Sequence, residues 1–324
     1  VTGQTLTAAR DRPATRRESS RRVTGRRRLR TRIEIALFIG PALVLYLGFV
    51  LVPIGLAGYY SLYKWNGLAA LDDFVGLDNY RRAFGDDVFR HAILHNGILA
   101  VLSIVVQLPL ALGAALMLNR RLRGRAALRM VFFAPYVLSE VITAVIWLLM
   151  LQPDGLVDRA LGAVGLGGLI HDWLADVHLV LYTLFVVITW KYLGFGIVLF
   201  LAGLQGVPDE LHEAAAIDGA GELQKVWYVT LPLLGPTIRI WTFLSIIGSL
   251  QLFDIIWIMT LGGPANASNT MATYLIDRGF GRYQFGYGSA VAVILFMISF
   301  VFALLYQRYV LRRDIDGALT RIVG

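Results

Sequence analysis

Three charged side chains, Glu140, Lys191 and Asp254, stand inside otherwise apolar runs of the sequence. A charge at the centre of a membrane helix costs about 2.5–3.5 kcal/mol, so each needs a partner, a polar cavity or an ion. Glu140 and Lys191 fall at similar depths of two neighbouring runs, counted from opposite ends. Two readings stay open: they pair or share a polar cavity, or each is satisfied separately by backbone and water. Ion-coupled transport or a channel through Glu140, Lys191 and Asp254 is one chemistry these charges could serve.

A second constellation is a four-residue repeat, Ser245, Ser249, Phe253 and Trp257. On one continuous helix it makes a single face. With Trp190 and Tyr192 it would offer rings on which sugar C–H faces stack and hydroxyls that bond sugar oxygens. Ordinary helix packing explains the same residues, and Asp254 is equally open to a structural explanation. His91 and His95 stand at i, i+4, a spacing that can hold zinc. Ala92 occupies the place where H-E-x-x-H has its glutamate, no third ligand is near, and membrane-interface residues are the reading adopted. Asn266-Ala267-Ser268 matches a glycosylation sequon, a signal that means little if the cell is bacterial.

There is no cysteine, which excludes disulfides, thiolate metal sites and Cys nucleophiles. No G-x-x-x-x-G-K-[ST] loop occurs, so the chain does not supply its own nucleotide site of that kind. No converging His, Ser or paired-carboxylate motif points to an intramembrane enzyme. The chain is read as a non-enzyme with no metal and no cofactor of its own.

The elements that must position these residues are membrane helices. Of 324 residues, 57% are hydrophobic and only 16% charged, and several apolar runs exceed the roughly 18 residues that mark a span. Six spans are predicted, at about 33–59, 92–118, 128–150, 178–204, 233–260 and 287–310. Gly55-Leu56-Ala57 resembles a small-x-small cleavage site, but the first run is long for a signal peptide and is read as a retained span. The net charge of +8 comes from arginines in the 1–32 tail, the 2–3 loop (Arg120, Arg121, Arg123, Arg125, Arg129) and the C-terminus. Such a distribution is membrane topology rather than nucleic-acid binding. It puts both termini and the 2–3 and 4–5 loops in the cytoplasm, while the 1–2 and 3–4 loops collect aspartates outside. The basic 1–32 tail should be disordered and could lie against anionic lipid; 313–324 is read as a second cytoplasmic tail.

Between spans 4 and 5 lies "PDELHEAAAIDGAGELQKVWYVTLPLL", 208–234. Pro208 suits a first helical position and Asp209 and Glu210 the positive end of a helix dipole. The alanines after Glu213 are strong helix formers. Asp218-Gly219 ends the run, because glycine takes the left-handed C-cap at little cost. A second short helix, about Glu222–Tyr228, leads to Leu231-Pro232. The result is a cytoplasmic helix–turn–helix elbow within 205–232, either a docking lever or a solvated connection.

Glu213-Ala214-Ala215, Gly219 and Leu231-Pro232 resemble, at matching spacing, the EAA loop of inner-membrane permeases of binding-protein-dependent ABC importers. Val229 and Val226 replace residues more usual there. The longer run is similar to the carbohydrate branch typified by the maltose system, as are "FVGLDNY" (74–80), "LAGLQGVP" (201–208) and "LGGPANASNTMATYLIDRGF" (261–280). The resemblance covers about 33–312 and implies an all-α fold of the type I importer kind in a bacterial plasma membrane. It implies an elbow seated in a cleft of a cytoplasmic ATPase dimer, with Glu213 meeting a basic residue and Gly219 permitting close approach. It also implies a heterodimer with a second permease chain, an extracytoplasmic sugar-binding protein, a di- or oligosaccharide cargo, and ATP with Mg on the ATPase. Within the aromatic stripe, the position of Ser249 matches a sugar contact of that family.

Overall fold

The computed structural model describes residues 34–120 and 124–312. The predicted 1–32 and 313–324 tails, and Arg121 and Arg123 of the 2–3 loop, lie outside them. The chain divides after Leu56 into two compact units. Among the described residues, the first unit consists of the N-terminal part of a long apolar helix, α1 (Glu34–Tyr60).

Among its described residues, the second unit is built of helices joined by loops, with an isolated bridge between Tyr63 and Phe74. Its elements are α2 (Asp78–Gly85), α3 (Asp87–Asn119), α4 (Arg125–Val137), α5 (Glu140–Met150), α6 (Leu156–Ala163) and α7 (Val180–Leu204). Then follow α8 (Asp209–Ile217), α9 (Glu222–Leu233), α10 (Gly235–Leu250), α11 (Asp254–Thr260), α12 (Met271–Leu275) and α13 (Phe285–Leu311). Helix α7 is central, packing against α4, α5, α10, α11 and the second half of α3. Phe200, Ile197, Val187 and Leu184 on α7 are buried, whereas Val101, Val105 and Leu110 on α3 are exposed. Such exposed apolar faces suit lipid or another membrane helix and would be a liability in water.

Among the described residues, four helices, α1, α3, α7 and α13, are long and apolar enough to cross a bilayer unbroken; α4–α5 and α9–α10 add two spans only if each bent pair counts as one. The predicted continuous span 128–150 is therefore corrected: α4 and α5 meet at 99°. Pro135 lies inside α4 and removes a helical donor. Leu138 turns extended (ψ 146°), and the hydroxyl of Ser139 accepts a bond from the Ile142 N–H to start α5.

The predicted span 233–260 is corrected twice. Its approach bends by 67° at Leu234, next to Pro232 and Pro236, and its helix stops at Leu250. Residues 251–253 are not helical, and α11 begins afresh at Asp254. Carbonyls freed by a break at membrane depth must find donors within the protein. Fully buried Asn96 of α3 donates to the Ser249 carbonyl at 2.6 Å and accepts from the Met271 N–H at 2.9 Å; Thr270 Oγ1 donates to the Leu252 carbonyl at 2.8 Å. The segment 261–280 thus returns to cap the end of α10.

One polar cluster fastens α2, α3, α12 and α13 at the same end as that segment. Asp86 caps α3, accepting from the Val88 and Phe89 N–H groups, and its other oxygen accepts from Tyr274 Oη at 2.8 Å. Tyr274 Oη lies 2.7 Å from Tyr287 Oη, and Arg278 Nη2 lies 3.9 Å from Asp86. Burial alone would raise the Asp86 carboxyl. The bonds from Tyr274, Phe89 and Val88, with the charge of Arg278, outweigh it and hold the group below its ordinary value. A depressed folded-state pKa stabilises above the unfolded value, about 3.9, and that stability is lost as pH falls through the folded value. Thermal melting in detergent should therefore show a decline below about pH 4 that is smaller in Asp86→Asn, with the two proteins' difference constant above it.

Candidate functional site

Where α3, α4, α7 and α10 converge, a cavity of about 240 Å³ opens. Its polar lining comes from Ser103 and Gln107 of α3, Tyr136 of α4, Tyr192 of α7, and Ser245 and Ser249 of α10. Ile188, Phe195, Trp241 and Leu244 supply apolar wall, and Tyr136 stacks on Phe195 with ring centroids 5.2 Å apart. Rings beside hydroxyl and amide groups, with no carboxylate, ammonium or guanidinium in the lining, make a surface fitted to a polyhydroxylated ligand.

The predicted substrate residues divide. Tyr192 and Ser249 line the cavity, together with Ser245. Trp190, Phe253 and Trp257 do not. Trp190 points to another side of α7, edge-on to Trp147 at 5.5 Å, and Phe253, the last residue of the 251–253 break, stacks on Trp257 at 5.6 Å. The single-face argument for the four-residue repeat fails because it assumed an unbroken helix. Ser103 and Gln107 were missed, although two polar residues four apart in an apolar run are a signal that sequence reading could have used. Tyr136 carried no such mark.

Glu140 and Lys191 are brought together. Lys191 is almost wholly buried; its Nζ lies 3.7 Å from Glu140 Oε1 and donates to the Leu138 carbonyl at 2.5 Å. That carbonyl stands at the α4–α5 break, so the lysine fills a vacancy in the backbone ladder as well as meeting a charge. Tyr192 Oη donates to Glu140 Oε1 at 2.5 Å, linking the pair to the cavity wall. Opposite charges about 4 Å apart attract by about 4 kcal/mol at an effective dielectric of about 20, which offsets part of their desolvation. Asp254 is not part of this group: it is exposed in the first turn of α11, where a helix dipole favours it. Of the two histidines, His95 Nδ1 lies 2.8 Å from the Asn269 carbonyl and His91 Nδ1 2.7 Å from that of Asp87.

The elbow forms a second site. Its first helix, α8, starts at Asp209, so Pro208 (ψ 132°) is the capping residue rather than the first helical one. Asp218 closes α8, and Gly219 follows with φ +82°. The Gly219 N–H donates to the Ala216 carbonyl at 3.1 Å and the Ala220 N–H to that of Ala215 at 2.9 Å, a paired closure that needs the left-handed residue. Glu213 and Ala214 are exposed and Ala215 is half-buried. Ile217, Leu223, Trp227 and Tyr228 are exposed around the turn, Ile217 by 87%. Leu231 and Pro232 end α9, where the chain turns into α10. Glu222 is 3.1 Å from Lys225 and 3.6 Å from Arg120, tying the elbow to the 2–3 loop.

Residues 107–315 match the family described as binding-protein-dependent transport system inner membrane component. The chain is 35% identical over 280 residues to the diacetylchitobiose uptake system permease protein NgcF of Streptomyces coelicolor, covering 83% of this chain and 79% of that one. It is 33% identical over 276 residues to the probable ABC transporter permease protein YurN of Bacillus subtilis (84% and 94%). With the lactose transport system permease protein LacF of Rhizobium radiobacter it shares 34% over 274 residues (83% and 91%). A solved chain of a bacterial ABC transporter that imports the acidic polysaccharide alginate has the same fold, with a TM-score of 0.76 over 88% of this chain and 99% of that one, at 23% identity. Matched over most of its length, and carrying the helices and elbow just described, the chain belongs to the inner membrane components of binding-protein-dependent transport systems, as a multi-pass permease rather than a catalytic subunit.

Proposed function

We propose that this chain is one permease subunit of an ATP-driven importer for a di- or oligosaccharide. It lines half of the path and pairs with a different permease chain. The observation that carries the sugar reading is the cavity, whose rings and uncharged hydrogen-bonding groups suit sugar faces and hydroxyls. Relatives named for diacetylchitobiose and lactose support the same class. The elbow is the transmission: Glu213, Ala214, Ala215, Asp218 and Gly219 seat it on a cytoplasmic ATPase dimer, and Leu231 and Pro232 pass its motion to α10. ATP and Mg are held by the ATPase. An extracytoplasmic binding protein delivers the sugar at the opposite face. The arginine distribution supports cytoplasmic termini and a cytoplasmic elbow.

An ion-coupled mechanism through Glu140, Lys191 and Asp254 lacks an unpaired buried charge: the first two balance each other and the third is exposed. The test is reconstitution of the four-part importer in proteoliposomes, with radiolabelled disaccharides as probes. Uptake should require ATP on the ATPase side and the binding protein, and should persist when an ionophore collapses the ion gradients. Uptake that is abolished by the ionophore and indifferent to ATP sinks the proposal.

A further inference from the structure

We infer that Glu140 sets the charge selectivity of the cavity: by balancing Lys191 it keeps the site neutral and restricts it to uncharged glycosides, a reading that rests on the sugar transport proposed above.

An anionic ligand such as a uronate or a sugar phosphate needs a cation. The cavity lining holds none. The neighbouring buried cation is Lys191, whose Nζ lies 5.8 Å from the centroid of the Tyr192 ring in the cavity wall. That ammonium is committed to the Leu138 carbonyl and to Glu140, and its side chain is only 3% exposed.

Tyr192 adds a second discrimination. Its hydroxyl hydrogen is spent on Glu140 Oε1, so the phenol oxygen offers the cavity only lone pairs. A sugar hydroxyl can donate to it. A carboxylate or phosphate brings lone pairs against lone pairs, on a phenol already hydrogen-bonded to the Glu140 carboxylate. Glu140 is thus a positioning and charge-balancing residue that acts through Tyr192 and Lys191, not a ligand contact.

Removing the Glu140 charge leaves the Lys191 ammonium unbalanced beside the wall, and Glu140→Ala, which removes the acceptor as well, also frees the Tyr192 hydroxyl hydrogen to point inward. Both changes favour an anion. The assembled importer in nanodiscs is tested by equilibrium dialysis against three neutral probes (maltose, lactose, diacetylchitobiose) and two anionic ones (digalacturonate, glycerol 3-phosphate). The wild type should bind at least one neutral probe and neither anion. Glu140→Gln, with Glu140→Ala as a second variant lacking the charge, should raise anion affinity relative to neutral affinity by tenfold or more. Glu140→Asp, which keeps the charge, and the double variant E140Q/K191M, which removes both, should keep the wild-type ratio. A ratio that E140Q and E140A leave unchanged overturns the inference, as does wild-type binding of digalacturonate on a par with the neutral probes. Failure of the wild type to bind any neutral probe overturns the transport reading and this inference with it. Neutral binding with an unshifted ratio overturns this inference alone.

Discussion

Substituting Gly219 with valine is expected to cut ATP-driven uptake by more than tenfold while the membrane helices remain assembled. At φ +82° a β-branched side chain is strained by about 1–2 kcal/mol, and relieving that strain undoes the bonds from Gly219 and Ala220 that close α8. A Cβ there would meet nothing within 4 Å. The damage therefore falls on the direction of the backbone between α8 and α9, and not on packing within the chain. Gly219→Asn should recover much of the activity, because asparagine tolerates the left-handed conformation better than other side chains. Glu213→Ala separates conformation from contact: it preserves helix propensity and removes only the exposed carboxylate. Uptake and sugar-stimulated ATP hydrolysis, measured on importer that elutes as one species, read the three variants. Full uptake by both Gly219→Val and Glu213→Ala would remove the elbow from the mechanism.

A large loss of stability is expected from Gly194→Val. Helix α7 passes α4 so closely at this point that a Cβ on Gly194 would clash with the Phe132 carbonyl oxygen and lie 2.8 Å from the Phe133 Cα. These are backbone atoms, which cannot rotate aside. Overpacking costs about 1–3 kcal/mol where side chains can give way, and here α4 as a whole must move. Since α4 carries Tyr136 into the cavity, the same displacement spreads its lining. A fall in the detergent melting temperature together with weakened sugar binding is the expected result. An unchanged melting temperature would mean that α4 and α7 do not meet as described.

The places of the apolar runs, and the helix–turn–helix shape of the 208–233 segment, were legible in the sequence because both rest on local order. Hydropathy over a helix length marks a span whatever its neighbours are, and Glu-Ala-Ala followed by Asp-Gly writes its own helix and its own stop. The presence of Glu140 and Lys191 at similar depth was legible too, though not their contact at 3.7 Å or the shared Leu138 carbonyl.

What only the tertiary structure decided was the break at 251–253. Nothing local to Gln251, Leu252 and Phe253 forbids a helix. That segment unwinds where Asn96 and Thr270, distant in the chain, supply the donors that an unwound membrane segment requires. Sequence alone determines which residues are apolar and which are polar. The long-range hydrogen bonds decided that Ser245 and Ser249 share a cavity with Gln107, Tyr136 and Tyr192, while Phe253 and Trp257, one and two helical turns further on, do not.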